Sequence, residues 1–123
     1  MTGPIHLIVD RNVRSFWSPA SREIVLGSGY TPLEAGHEIA HARLGHDLSG
    51  SALADIVQER DAWMETLRRI PPEEISTSEI RRSLSSYLHE IADTYGRSSR
   101  QHLMAKKLCG GVIDYARKRK KEE

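Results

Sequence analysis

The chain has 123 residues, 38% of them hydrophobic and 28% charged, which suffices for one modest core and excludes two. Its longest apolar runs, such as Ile5 to Val9, fall far short of the roughly 20 residues that a membrane-spanning helix needs. The single cysteine, Cys109, excludes an internal disulfide, and no signal-peptide pattern opens the chain, so a cytoplasmic, reducing location is expected.

The first 30 residues read as a small sheet. Ile5-His6-Leu7-Ile8-Val9 is β-branched and apolar and runs into the turn-prone Asp10-Arg11-Asn12, the pattern of a strand and its turn. Val13 to Trp17 is expected to pair back onto that strand, and after the loop Ser18-Pro19-Ala20-Ser21 a third strand spans Glu23-Ile24-Val25-Leu26, closed by Gly27-Ser28-Gly29.

Thr31-Pro32-Leu33-Glu34 is a strong helix start, with Thr31 as N-cap, Pro32 at the first helical position and Glu34 completing a capping box. The helix then carries His37-Glu38-Ile39-Ala40-His41, an HExxH motif. Positions i and i+4 share a helix face, so His37 and His41 can reach one ion. Glu38, beside the first histidine, can accept a proton from a water activated at that ion. The inner face is expected to hold Leu33, His37, Ala40, His41 and Leu44, ending near Gly45, with Gly36 an expensive residue inside a helix.

A second helix is predicted from about Ala52 to Ile70, stopped by Pro71-Pro72, with Leu53, Ile56, Val57, Arg60, Met64 and Leu67 as its stripe. A third opens at Ser76-Thr77-Ser78 and presents Ile80, Leu84, Tyr87, Leu88, Ile91 and Tyr95 before Gly96. A fourth runs from about Ser98 to Arg119, with Leu103, Met104, Leu108, Val112 and Tyr115 inward and a kink at Gly110-Gly111. The expected fold class is therefore α+β: one domain over residues 1–123, with a sheet in 1–30, a metal-binding helix pair in 31–70 and C-terminal helices in 76–121. Charge is uneven, at +6 over residues 97–123 and −5 over 1–96. The tail Arg117-Lys118-Arg119-Lys120-Lys121 is read as a solvated helix end whose cations suit the dipole, with nucleic-acid contact as the alternative.

Catalytic zinc usually takes three protein ligands and an open position. The HExxHxxGxxH frame fails, because Leu44 and Asp47 stand where its glycine and third histidine belong. His46 lies about 140° around the helix from His41 and is read as a capping or buried structural histidine. Glu59, eighteen residues after His41, suits a ligand from a following helix, with Asp55 in reserve. Asp55 is placed farther from the apolar stripe, and Asp61 and Glu65 toward the opposite flank. The bland alternative is that Glu59 pairs with Arg60 or Arg69. Tyr87, His89, Tyr95 and Tyr30 are candidate oxyanion or substrate donors. His89-Glu90-Ile91-Ala92-Asp93 echoes the motif by coincidence, since Ile91 takes the core position.

His37 to His46 resembles the HExxHxxxxH helix of the gluzincin metallopeptidases of the HtpX and CAAX-protease kind, and Glu59-Arg60-Asp61-Ala62-Trp63 resembles their glutamate helix, with Trp63 where aspartate is usual. The nearest resemblance, covering residues 22–72, is to their soluble minimal version, the minigluzincins. The ImmA/IrrE metallopeptidases, which join HExxH to a later ExxA helix, are the second choice. The resemblance implies one zinc per chain held by His37, His41 and Glu59, Glu38 as base, and a peptide or protein substrate. An edge strand that adds the substrate to the sheet is common in such enzymes, but the sequence leaves open which strand it is. A self-blocking terminal segment, and a binding module with structural zinc, are the remaining expectations.

Overall fold

The computed structural model describes residues 4–47 and 50–121 and has the expected α+β architecture. Three strands, β1 (His6–Val9), β2 (Phe16–Ser18) and β3 (Glu23–Leu26), precede four helices, α1 (Pro32–Arg43), α2 (Ala52–Arg69), α3 (Thr77–Tyr95) and α4 (Arg100–Lys120), with a short 3-10 turn at Pro72–Glu74.

The sheet order is β1-β3-β2. The segment expected to pair back onto the first strand does not do so: β2 pairs antiparallel with β3, Trp17 opposite Ile24, and β1 lies parallel to β3 on its other side. The reason is burial. Trp17, Ile24 and Leu26 form a small cluster against Ala42 of α1, so the strand with three consecutive buried residues takes the centre and β1, exposed throughout, takes an edge. The other edge belongs to β2.

The main core is made by the four helices around Leu33, Ile56, Trp63, Leu67, Ile80 and Ile91. Several residues expected in it lie elsewhere. Val57 and Tyr95 are exposed, as are Leu44 at the α1 C-cap and Leu103 and Met104 of α4. On α4 Val112 is buried as expected and Leu108 and Tyr115 pack partly buried against the core, while Ala105, Cys109, Ile113 and Ala116 complete the inward stripe. Small residues allow close helix approach, so packing selects them over the larger side chains that hydropathy ranks higher. The helix continues unbroken through Gly110-Gly111.

Two cations of the basic tail have structural work. Pro71 and Pro72 follow α2 and have no N–H to donate to its last carbonyls. Arg119 supplies the missing donors from α4, Nε to Leu67 O and Nη2 to Ile70 O, both at 2.7 Å, and Lys120 Nζ donates to Ile75 O at 2.9 Å. Arg119→Ala is expected to destabilise the fold by about 1–3 kcal/mol, the cost of leaving buried acceptors unpaired, measured by denaturant unfolding. An unchanged midpoint would refute this capping role.

Candidate metal centre

Helix α1 is fixed at both ends. Thr31 Oγ1 accepts the Glu34 N–H at 3.0 Å and its hydroxyl donates to Glu79 Oε2 of α3 at 2.8 Å. The Glu34 carboxylate accepts from the Ser15 hydroxyl, so it ties α1 to the segment leading into β2. At the C-terminal end Gly45 adopts φ +67°, a conformation glycine takes without a Cβ penalty, and the Schellman pair forms: Gly45 N to Ala42 O at 3.1 Å and His46 N to His41 O at 3.0 Å. Gly36 also has its reason. A Cβ there would lie 3.1 Å from Thr66 Cγ2 of α2, so glycine permits the close contact of the two helices that carry the ligands.

Across that contact, Glu59 meets both histidines. Glu59 Oε1 lies 3.0 Å from His37 Nε2 and Oε2 lies 2.7 Å from His41 Nε2, while the two Nε2 atoms are 3.2 Å apart. All three side chains are buried, and one ligand atom from each falls within 4.8 Å of the others. The bland pairing for Glu59 does not occur, since Arg60 pairs with Asp61, and Arg69 pairs with Glu65. Burial works to raise the Glu59 pKa, but hydrogen bonds and charge from His37 and His41 outweigh it and hold the carboxyl far below its usual range. Burial lowers the pKa of His37 against the opposing pull of Glu59. A buried set of two imidazoles and one carboxylate, from two helices with an i, i+4 pair, matches the donor chemistry of a catalytic zinc site.

The other candidates separate clearly. Glu38 is buried beside the cluster and accepts the Trp17 backbone N–H from β2; burial first, then the charges of Glu59 and Glu34, raise its pKa to about 8. Tyr87 of α3 lines the same cleft and hydrogen-bonds Glu59; burial first and Glu59 second push its hydroxyl above the usual tyrosine range. His89, Tyr95 and Tyr30 do not line the cleft and are exposed. Asp55 corrects its expected outward placement: it is 4% exposed, but its carboxylate accepts the Gly50 N–H at 2.9 Å and does not join the cluster. His46 likewise stays out of the ligand set, and its ring Nδ1 lies 2.8 Å from His41 Nδ1.

The cluster and Glu38 lie in a cleft of about 630 Å³ between the Arg14–Trp17 segment on one side and Arg82, Ser83 and Tyr87 of α3 on the other. Among the described residues no part of α4 lines it. No protein-family model, no curated protein and no solved structure matches this chain.

Two contacts at the site had little sequence signal. Trp63 stacks on His37, ring centroids 3.9 Å apart and planes 19° from parallel; the spacing from Glu59, one turn along α2, was visible, but the partner was not. The Trp17 N–H contact to Glu38 spans 21 residues and uses a backbone atom, so no side-chain pattern encodes it.

Proposed function

We propose that this chain is a zinc-dependent peptidase resembling the minimal gluzincins. The observation that carries the proposal is the convergence of His37, His41 and Glu59 in a buried triad with Glu38 beside it on an open cleft. His37 Nε2, His41 Nε2 and a Glu59 oxygen would hold one ion per chain. Zinc in such a set supplies Lewis acidity toward water and toward a carbonyl oxygen.

Beside a bound cation Glu38 would be held in its ionised form and would serve as the base: its carboxylate takes the proton of the attacking water and passes it to the leaving amine. The Trp17 N–H fixes one side of that carboxylate, leaving the other for the proton. Tyr87, on the facing wall, would stabilise the oxyanion by turning its hydroxyl from Glu59 to the substrate. β2 is an edge strand on the cleft side of the sheet, and a peptide laid along it in extended form would run past the triad.

The test is metal content and cleavage together. Purified protein is expected to carry about one zinc per chain and to hydrolyse an unfolded protein such as casein, with activity removed by a chelator and restored by zinc. Tyr87→Phe at saturating zinc is expected to lower kcat by roughly 10²-fold, the scale of one lost oxyanion donor. A chain that takes up no zinc at neutral pH would refute the reading.

A further inference from the structure

We infer that His46 is a positioning residue of this centre, orienting His41 by accepting a hydrogen bond from its Nδ1–H; the inference rests on the metal-binding reading above. A neutral imidazole that gives its Nε2 lone pair to a metal keeps its proton on Nδ1, and that N–H needs an acceptor when buried. His41 is 1% exposed. Its Nε2 faces Glu59 and His37, and its Nδ1 lies 2.8 Å from Nδ1 of His46. With a metal on His41 Nε2, His46 would therefore present its Nδ1 lone pair and carry its own proton on Nε2.

The acceptor is held in place independently of its ring. The His46 N–H is bonded to His41 O through the Gly45 turn, and the His46 carbonyl accepts Trp17 Nε1 at 3.0 Å. One end of this anchor is thus the ligand's own helix, and the other is β2, whose backbone also contacts Glu38. The chain reversal at Gly45 brings round a ring that helical geometry alone would leave about 140° away.

The two histidine ligands differ in this respect. His37 Nδ1 is buried and has no hydrogen-bond partner among the described residues, and its ring is held by stacking on Trp63. His41 alone receives a hydrogen-bonded orientation, and an imidazole fills the place more often taken by a carboxylate or a backbone carbonyl.

Zinc affinity, measured by chelator competition on the full chain, tests this with two replacements. Asparagine places Oδ1 near the position of the histidine Nδ1 and can accept; leucine fills similar space and cannot. His46→Leu is expected to weaken zinc binding about 10–100-fold, and His46→Asn to stay within a few-fold of the parent, with all three metal-free proteins unfolding at similar denaturant concentrations. In the zinc-loaded parent, NMR is expected to show a slowly exchanging His41 Nδ1–H coupled across the hydrogen bond to His46 Nδ1. Parental affinity in His46→Leu, equal weakening in both variants, or absence of that coupling would each overturn the inference. A parent that binds no zinc overturns the metal reading and this inference with it, whereas a parent and His46→Leu that bind equally well remove this inference alone.

Discussion

Replacing Glu38 by glutamine is expected to remove hydrolysis, leave one zinc per chain and make the metal-free fold more stable. Glutamine keeps the size of the side chain and its capacity to accept the Trp17 N–H, but it cannot take a proton from water. A loss of about 10²–10⁴-fold in kcat/KM follows from removing the general base. The stability gain follows from burial. The carboxyl has an ordinary pKa of 4.5 and one of about 8 in the folded chain, so the folded state binds its proton more tightly than the unfolded state does. Below pH 4.5 both states are protonated and the carboxyl costs nothing. Between 4.5 and 8 the unfolded state ionises first and stability falls with rising pH, on the order of 1.4 kcal/mol per pH unit; above 8 the loss is complete. The unfolding midpoint of metal-free Glu38→Gln should therefore exceed that of the parent by a margin that widens from pH 5 to pH 8 and then stays constant. Retained hydrolysis would remove Glu38 from the mechanism, and a margin independent of pH would show that its burial is not what the variant relieves.

Glu59→Gln is expected to cost more than about 100-fold in zinc affinity, exceeding the range for groups that only orient a ligand. The carboxylate brings the only negative charge of the triad, and its two oxygens reach His37 and His41 separately, at 3.0 and 2.7 Å. Glutamine retains one acceptor oxygen and turns an NH₂ group toward one of the imidazole lone pairs that the ion needs. Asp55→Asn is the matched comparison, because that buried carboxylate caps Gly50 and lies outside the triad; its zinc affinity should remain within a few-fold of the parent. The metal-free proteins supply a second measurement. The Glu59 pKa is depressed in the folded chain, so its charge contributes stability above pH 4.5 that is lost as pH falls. Glu59→Gln should lack that component of acid sensitivity. Equal zinc affinity in Glu59→Gln and the parent would place the third ligand elsewhere.

Both expectations rest on residues whose spacing was visible beforehand, and the reason is local geometry. His37, Glu38 and His41 lie within five residues on a helix whose start is written in Thr31 and Pro32, so their relative placement follows from the helical repeat. Glu59 required one further step, a second helix packed on the first, and its apolar pattern marked where that helix ran. Asp55 marks the limit of this reasoning. Placed away from the apolar stripe by hydropathy, it is buried on the helical face it shares with Glu59 and Thr66, where its carboxylate accepts the Gly50 N–H.

The sequence by itself determined the α+β class, the order and approximate bounds of the helices and three strands, and the triad of candidate ligands, all of which depend on short-range periodicity and capping. Tertiary structure decided the rest. It paired β2 with β3, because Trp17 and Ile24 share a buried face; it turned Leu103 and Met104 of α4 outward and Ala105, Cys109 and Ala116 inward, because small residues let the helices approach closely; and of Tyr87, His89 and Tyr95 it placed Tyr87 alone on the cleft. His46 belongs to both. Its position five residues after His41 was legible, but its contact with the ligand ring depends on a left-handed glycine and on a tryptophan 29 residues earlier in the chain, and such non-local constraints leave no periodic trace in sequence.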